Sequence, residues 1–283
     1  MIREPAGVRE PAVAGYFYPA DAEALRSEVE HCLRWRPQPS GDQPEAGAPA
    51  PAVAVVVPHA GYEYSGRVAG AVYATTSLPR SLLILCPNHT GEGRQIAVMN
   101  RGVWRTPLGD AVIDEPLADR ILEACELAAV DDRAHRREHA LEVQLPFLQV
   151  RMKEFAFVPI CVGTGSLAAL TQLGHDLGRV IQKCPEPLGI VISSDMSHYI
   201  AAPEAREKDM MAVGRIMSMD PVRLHRVVLE KEISMCGFAP AVAGLTAALD
   251  AGARSARLVA YANSGDASGD YDRVVGYAGL AIT

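Results

Sequence analysis

The sequence predicts an α/β protein: a three-layer sandwich with a central mixed β-sheet and helices over both faces. Three observations predict it. Short, strongly apolar and β-branched runs recur along the chain, as at 53–57, 82–86 and 188–193. Between them lie segments of helical periodicity about 12 residues long, the alternation of an α/β sheet covered on both sides. The last two strand-like runs and the 95–113 region lack crossover helices, so part of the sheet runs antiparallel.

The elements follow in order. Leu25, Val29, Cys32 and Leu33 fall on one face of a leader helix. Residues 37–51 read PQPSGDQPEAGAPAP, which holds neither a helix nor an interior strand and is expected as a flexible Pro/Gly/Ala-rich loop. The segment before it is too short for a core of its own, so 1–283 is read as a single domain. Residues 53–57 form a strand, 66–76 a helix with Ser65 as N-cap, and 82–86 the next strand. Strands at 95–99 and 111–113 flank a loop at Trp104. Helices cover 115–127 and 138–150, the second kinked or tightened by Pro146. Strand 155–162, helix 166–182 and strand 188–193 come next. Helices at 203–217, 221–230 and 239–249 have proline at or near two of their starts, and strands 257–262 and 273–281 close the chain.

Composition narrows the function. Of 283 residues, 27 are Lys or Arg and 34 Asp or Glu, a formal net charge of −7. With no basic run longer than Arg136-Arg137, phosphate-neutralising nucleic-acid binding is excluded. No apolar stretch approaches the roughly 20 residues that span a bilayer, and the first residues lack the apolar core of a signal peptide. Cys32, Cys86, Cys125, Cys161, Cys184 and Cys236 contain no CxxC pair, so a reducing cytoplasm and no disulfides are expected.

The chemistry-bearing residues follow the strands. His59 sits in PHAGY, His89 in CPNHTG, and Asp195 and His198 in SSDMSHY. If the strands before them are parallel, three loops deliver these groups to one rim, where α/β sheets bind ligands. Two imidazoles and an anionic third donor suit a transition metal with open positions. The anionic donor is either Asp195 or Cys236, the latter favoured as thiolate just ahead of the 239–249 helix. His198 is then the acid/base, with Asp195 orienting an imidazole. His139 either starts a helix or reaches the site. Tyr62, Tyr64, Tyr199 and Trp104 either shape an aromatic rim or serve as ordinary packing. Cys86, Cys125, Cys161 and Cys184 read as small hydrophobes, and His31, His135, His175 and His225 as solvated. Ser264-Gly265-Asp266 and Ser268-Gly269-Asp270 read as a turn about as well as a phosphate loop. No GxSxG elbow is present.

Longer blocks carry a resemblance. AVAGYFYP at 12–19, PHAGYEYSG at 58–66, PNHTG at 87–91, TPLG at 106–109, EHALEVQLPFL at 138–148, SSDMSHY at 193–199, CGFAP at 236–240 and NSGDASGD at 263–270 resemble the Memo family. Its microbial members are called AmmeMemoRadiSam system protein B. The family is similar to the catalytic subunits of class III extradiol ring-cleaving dioxygenases, which implies a dioxygenase-like fold. The resemblance implies His59, His89 and Cys236 as metal ligands, His198 as catalytic acid/base with Asp195 close by, and His139 as a further pocket histidine. It implies Fe(II) or copper ahead of zinc, because the thiolate replaces a carboxylate. It further implies a small-molecule or anionic peptide ligand and a pathway link to radical-SAM and AMMECR-type proteins. Three functions are expected in turn: a metal-dependent oxidoreductase, a binding protein with a vestigial pocket, and a zinc hydrolase.

Overall fold

The computed structural model describes residues 7–36 and 49–283, so 37–48 of the expected loop lie outside the described residues. The chain begins with β1 (Val8–Arg9) and α1 (Ala22–Arg34). Asp21 caps α1 by accepting from the backbone N–H groups of Glu23 and Ala24, and the face bearing Leu25, Val29 and Cys32 is buried as the spacing predicts. β2 (Ala50–Pro51), β3 (Ala54–Val57), α2 (Tyr62–Thr75), β4 (Thr76–Ser77) and β5 (Ser81–Pro87) follow. β2 pairs with β4, so the end of the expected 37–51 loop is strand instead.

The helix expected at 66–76 starts earlier, after Gly61, and Ser65 is not its cap. The Ser65 hydroxyl lies inside the first turn and donates to the Ala60 carbonyl. The opening is anchored from afar, where the Tyr62 N–H donates to the Phe17 carbonyl at 2.8 Å.

β6 (Ile96–Val98), β7 (Val103–Thr106) and β8 (Gly109–Ile113) come next. The expected loop at Trp104 is therefore strand β7, which forms an antiparallel hairpin with β8. Trp104 is fully buried, with the Arg9 guanidinium 4.3 Å over its ring, so it belongs to the core and not to an aromatic rim.

α3 (Glu115–Ala124) stops short of 127, and β9 (Ala129–Val130) and α4 (Arg133–Arg136) follow it. The expected helix at 138–150 breaks into α5 (His139–Glu142) and α6 (Leu145–Arg151). Pro146 supplies the reason: it lacks an N–H and its ring clashes with the carbonyl four residues back, so it fits the first turn of a new helix.

The second half alternates closely as expected. It runs β10 (Ala156–Val162), α7 (Leu167–Lys183), β11 (Leu188–Ser193), β12 (His198–Ile200), α8 (Ala202–Met217), α9 (Pro221–Glu230), α10 (Phe238–Asp250), β13 (Ala256–Asn263), α11 (Gly265–Ser268) and β14 (Val274–Ile282). Strand β12 had no sequence signal.

The large sheet is ordered β1-β7-β8-β10-β5-β11-β3-β14-β12, with β13 beside β14, β6 beside β10 and β9 beside β6. Its centre is parallel, and Val191 of β11 sits opposite Ile84 on one side and Val55 on the other. β14 joins β3 antiparallel, which makes the sheet mixed. Alternate residues of these strands feed two cores. Val56, Leu83, Leu85, Ile190 and Ile192 pack with Leu173 and Leu177 of α7 and Val242 of α10. Val55, Val57, Leu82, Ile84 and Val191 pack with Leu25 of α1, Val68 of α2 and Phe147 of α6. This is the three-layer α/β sandwich. All six cysteines are free. Among the described residues no helix is long and apolar enough to cross a membrane.

His31 and His175 are exposed and His225 is half-buried, but His135 is completely buried, contrary to expectation. Its Nε2–H donates to the Ala97 carbonyl at 3.2 Å, and burial pushes the imidazole down to about 4. Between the ordinary histidine value and that lowered one, the unfolded chain binds a proton that the fold does not. Stability from His135 is therefore full above pH 6.5 and is lost as pH falls toward 4, by up to about 1.4 kcal/mol per pH unit. Urea midpoints at pH 7 and pH 4.5 check this: the His135→Gln variant is expected to lose less stability on acidification than the wild type.

Candidate metal centre

β3, β5 and β11 are mutually parallel, so their C-terminal ends share one rim. His59, His89 and Asp195 each lie two residues beyond one of these ends. The convergence expected from the sequence is realised. The His59 and His89 ring centroids are 5.2 Å apart, and His139, the first residue of α5, brings a third ring 5.6 Å from His59 and 4.6 Å from His89. One ring nitrogen from each lies within 4.8 Å of the others, the spacing of donors around a single ion.

Each ring is held differently. His59 is buried, with Nδ1 2.9 Å from Ser193 Oγ and Nε2 3.1 Å from Cys236 Sγ. Burial pushes its imidazole well below the ordinary value, and the neighbouring His139, His89 and His198 push the same way, so it is neutral. His89 is gripped by a buried carboxylate: Glu138 Oε1 is 2.9 Å from its Nδ1, and Oε2 accepts its backbone N–H at 2.7 Å. The Ala140 N–H donates a third bond to Glu138. Burial alone would raise Glu138 and lower His89, but their hydrogen bond and mutual charge outweigh it and hold Glu138 low and His89 high. The His89 side chain is 32 % exposed and that of His139 is 23 % exposed, so the cluster opens to solvent on their side. His139 packs its ring against Phe17 at 4.9 Å, and burial lowers it.

Cys236 directly precedes Gly237, the N-cap of α10. A side chain at Gly237 would collide with the Ser193 carbonyl and the Ser194 side chain, so only glycine lets α10 close onto the end of β11. That approach brings Cys236 to Asp195, whose N–H donates to Sγ at 3.3 Å. The helix terminus was expected to favour thiolate. Instead burial, with the Asp195 charge added, pushes the Cys236 thiol well above its ordinary value. A bound cation reverses that balance, because it stabilises the sulfur anion directly.

Asp195 is also buried. Oδ1 accepts the His59 N–H at 2.7 Å, and Oδ2 lies 4.0 Å from His59 Nε2. Burial lifts its carboxyl to about 7 against the pull of the His59 and Ala60 N–H groups. His198 stands half-buried on β12, with Nδ1 2.9 Å from the Ser234 carbonyl, which leaves Nε2 free. Tyr62 is buried and donates to the Val143 carbonyl, whereas Tyr64 and Tyr199 are exposed. The 265–268 stretch is α11, whose Asp266 accepts from Asn263 N–H and Tyr271 OH, which is the turn reading. A surface cavity of about 890 Å³ between Gly91–Arg94 and Val130–Arg133 contains none of the clustered donors.

These residues suit one transition-metal ion. Two of the imidazoles have their outer nitrogen tied to a hydroxyl or a carboxylate, the support that orients ligand histidines. Sequence reasoning missed Glu138, Ser193 and Gln144; only their places beside His139 and Asp195 hinted at them.

The family profile described as Memo-like protein matches residues 9–281. The chain belongs to the Memo-like family. It is 42 % identical over 279 residues to a MEMO1 family protein of Methanopyrus kandleri, covering 97 % of this chain and 98 % of that one. It is likewise 42 % identical over 274 residues to one from Aquifex aeolicus, covering 96 % and 98 %. In fold it is similar to an uncharacterized protein of Escherichia coli K12, with a TM-score of 0.53 at 13 % identity, over 81 % of this chain and 98 % of that one.

In this Memo-like chain the segment bearing Glu138 is itself pinned by the N-terminus. Arg9 pairs with the buried Glu142 and donates to the His135 and Glu138 carbonyls at 3.0 and 2.7 Å. Glu142 also accepts from the Ala12 and Val13 N–H groups and from Tyr18 OH at 2.5 Å. Arg9→Met would leave that carboxylate buried without its cation, a loss of about 3–5 kcal/mol. Chemical denaturation is expected to show it, with Glu142→Gln restoring part of the loss in the double variant.

Proposed function

We propose that this Memo-like protein holds one metal ion, Fe(II) or copper, and uses it in oxidation–reduction of a small molecule. The supporting observation is the meeting of His59, His89 and His139 at the carboxyl rim of the parallel strands, with Cys236 Sγ 3.1 Å from His59 Nε2. His59, His89 and Cys236 are the proposed ligands, and His139 lines the opening beside them. The soft sulfur suits copper and is compatible with a thiolate-ligated iron. When bound, the metal supplies Lewis acidity and one-electron chemistry.

The chain supplies the rest. Glu138 keeps the His89 ring aimed at the centre. Asp195 can hold a proton on Oδ2, since burial brings its carboxyl near neutrality. His198 Nε2 can accept one on the other flank, because its Nδ1–H is committed to the Ser234 carbonyl. Phe17 packs on His139 and excludes water from that edge.

Elemental analysis of anaerobically purified protein tests the reading. Wild type is expected to carry about one iron or copper per chain, and His89→Ala to lose at least about nine-tenths of it with an unchanged far-ultraviolet spectrum. Cys236→Ser is expected to lower occupancy and to shift preference away from copper. Wild type that stays empty after Fe(II) or Cu(I) reconstitution would instead favour a binding pocket for an anionic peptide or small molecule.

A further inference from the structure

We infer that Ser193 is a positioning residue that locks His59 in the Nδ1–H tautomer, so that Nε2 alone is offered to the centre. The inference follows from counting protons in one buried chain of hydrogen bonds and rests on the metal reading above only for its consequence.

The chain starts at a group whose direction is certain. A carbonyl oxygen only accepts, so the 2.5 Å contact between Ser193 Oγ and the Ala140 carbonyl consumes the single hydroxyl proton of Ser193. Gln144 Nε2 is orientated the same way: it donates to the Pro58 carbonyl at 3.0 Å, which fixes the amide, and its other proton goes to Ser193 Oγ at 3.0 Å. Tyr73 OH donates to Gln144 Oε1 at 2.9 Å and closes that end. Ser193 Oγ therefore has no proton left for its third neighbour, His59 Nδ1, 2.9 Å away. The proton between them belongs to the imidazole. A neutral imidazole carries one, so Nε2 presents a lone pair.

The far side of the ring is compatible: Cys236 Sγ lies 3.1 Å from Nε2, where its S–H can be given to the Nε2 lone pair. An Nε2–H tautomer would set Ser193 Oγ and Nδ1 face to face with no proton between them. Ser193, Gln144, Tyr73 and His59 are all buried, so water cannot relieve the mismatch.

The consequence is preorganisation. An imidazole that must change tautomer before it can ligate binds more weakly by the fraction of the wrong form. Ser193 removes that cost, and Ser193→Ala restores it.

The test reads the ring directly. Nitrogen-15 chemical shifts of the histidine side chains, recorded on metal-free wild type, are expected to show His59 with protonated Nδ1 and unprotonated Nε2. Ser193→Ala is expected to populate the Nε2–H form and to weaken binding of added Fe(II) by about 10–100-fold. Ser193→Thr, which keeps the hydroxyl, is expected to restore both. Protonated Nε2 in the wild type overturns the inference, and so does a Ser193→Ala ring that stays fully Nδ1–H. Should the alanine variant not fold, the wild-type spectrum alone decides. A protonated Nδ1 in a protein that binds no Fe(II) or Cu(I) would sink the metal reading and leave the tautomer lock standing.

Discussion

A carboxylate with no exposure to solvent, Glu138, is the constraint on which the site depends. Such a group survives burial only when its oxygens are fully engaged. Glu138 engages both through the His89 backbone, the His89 ring and the start of α5. The loop after β5 and the helix bearing His139 are thereby welded into one piece. The next residues continue the work. The Ala140 carbonyl and Gln144 hold Ser193, and Glu142 takes the Arg9 guanidinium. A stretch barely two helical turns long thus orients His59 and His89, carries His139, and draws in the N-terminal segment.

The electrostatics of the rim follow from the same crowding. Three imidazoles this close, two of them pushed down by burial, cannot all carry protons. The one that gains basicity, His89, does so by sharing a proton with Glu138. Burial disfavours Cys236 and Asp195 as anions, and the Asp195 charge adds to the effect at Cys236.

The central strands were legible because they are apolar on both faces, and His59, His89 and Asp195 because each follows one of those strands within two residues. What stayed hidden is non-local. Trp104 looked like a loop aromatic because its strand is only four residues long and is defined by pairing with β8 and by Arg9. Ser65 looked like a cap because the true anchor, the Phe17 carbonyl, lies far back in the chain. His135 sits among charged residues in sequence yet is walled in by Trp104 and Arg9. The thiolate expected at Cys236 ignored desolvation, which outweighs a helix terminus once the sulfur is enclosed. The roles of Ser193 and Gln144 need the knowledge of which carbonyls they meet.

The contact between Cys236 and His59 joins residues 177 positions apart, and Arg9 meets Glu142 across 133. During synthesis the histidine donors leave the ribosome long before the sulfur does. Loops of that length close late and only when the sheet between them is complete. A nascent chain therefore passes through a stage in which His59, His89 and His139 have emerged and Cys236 has not, and the rim is completed only at the end of folding.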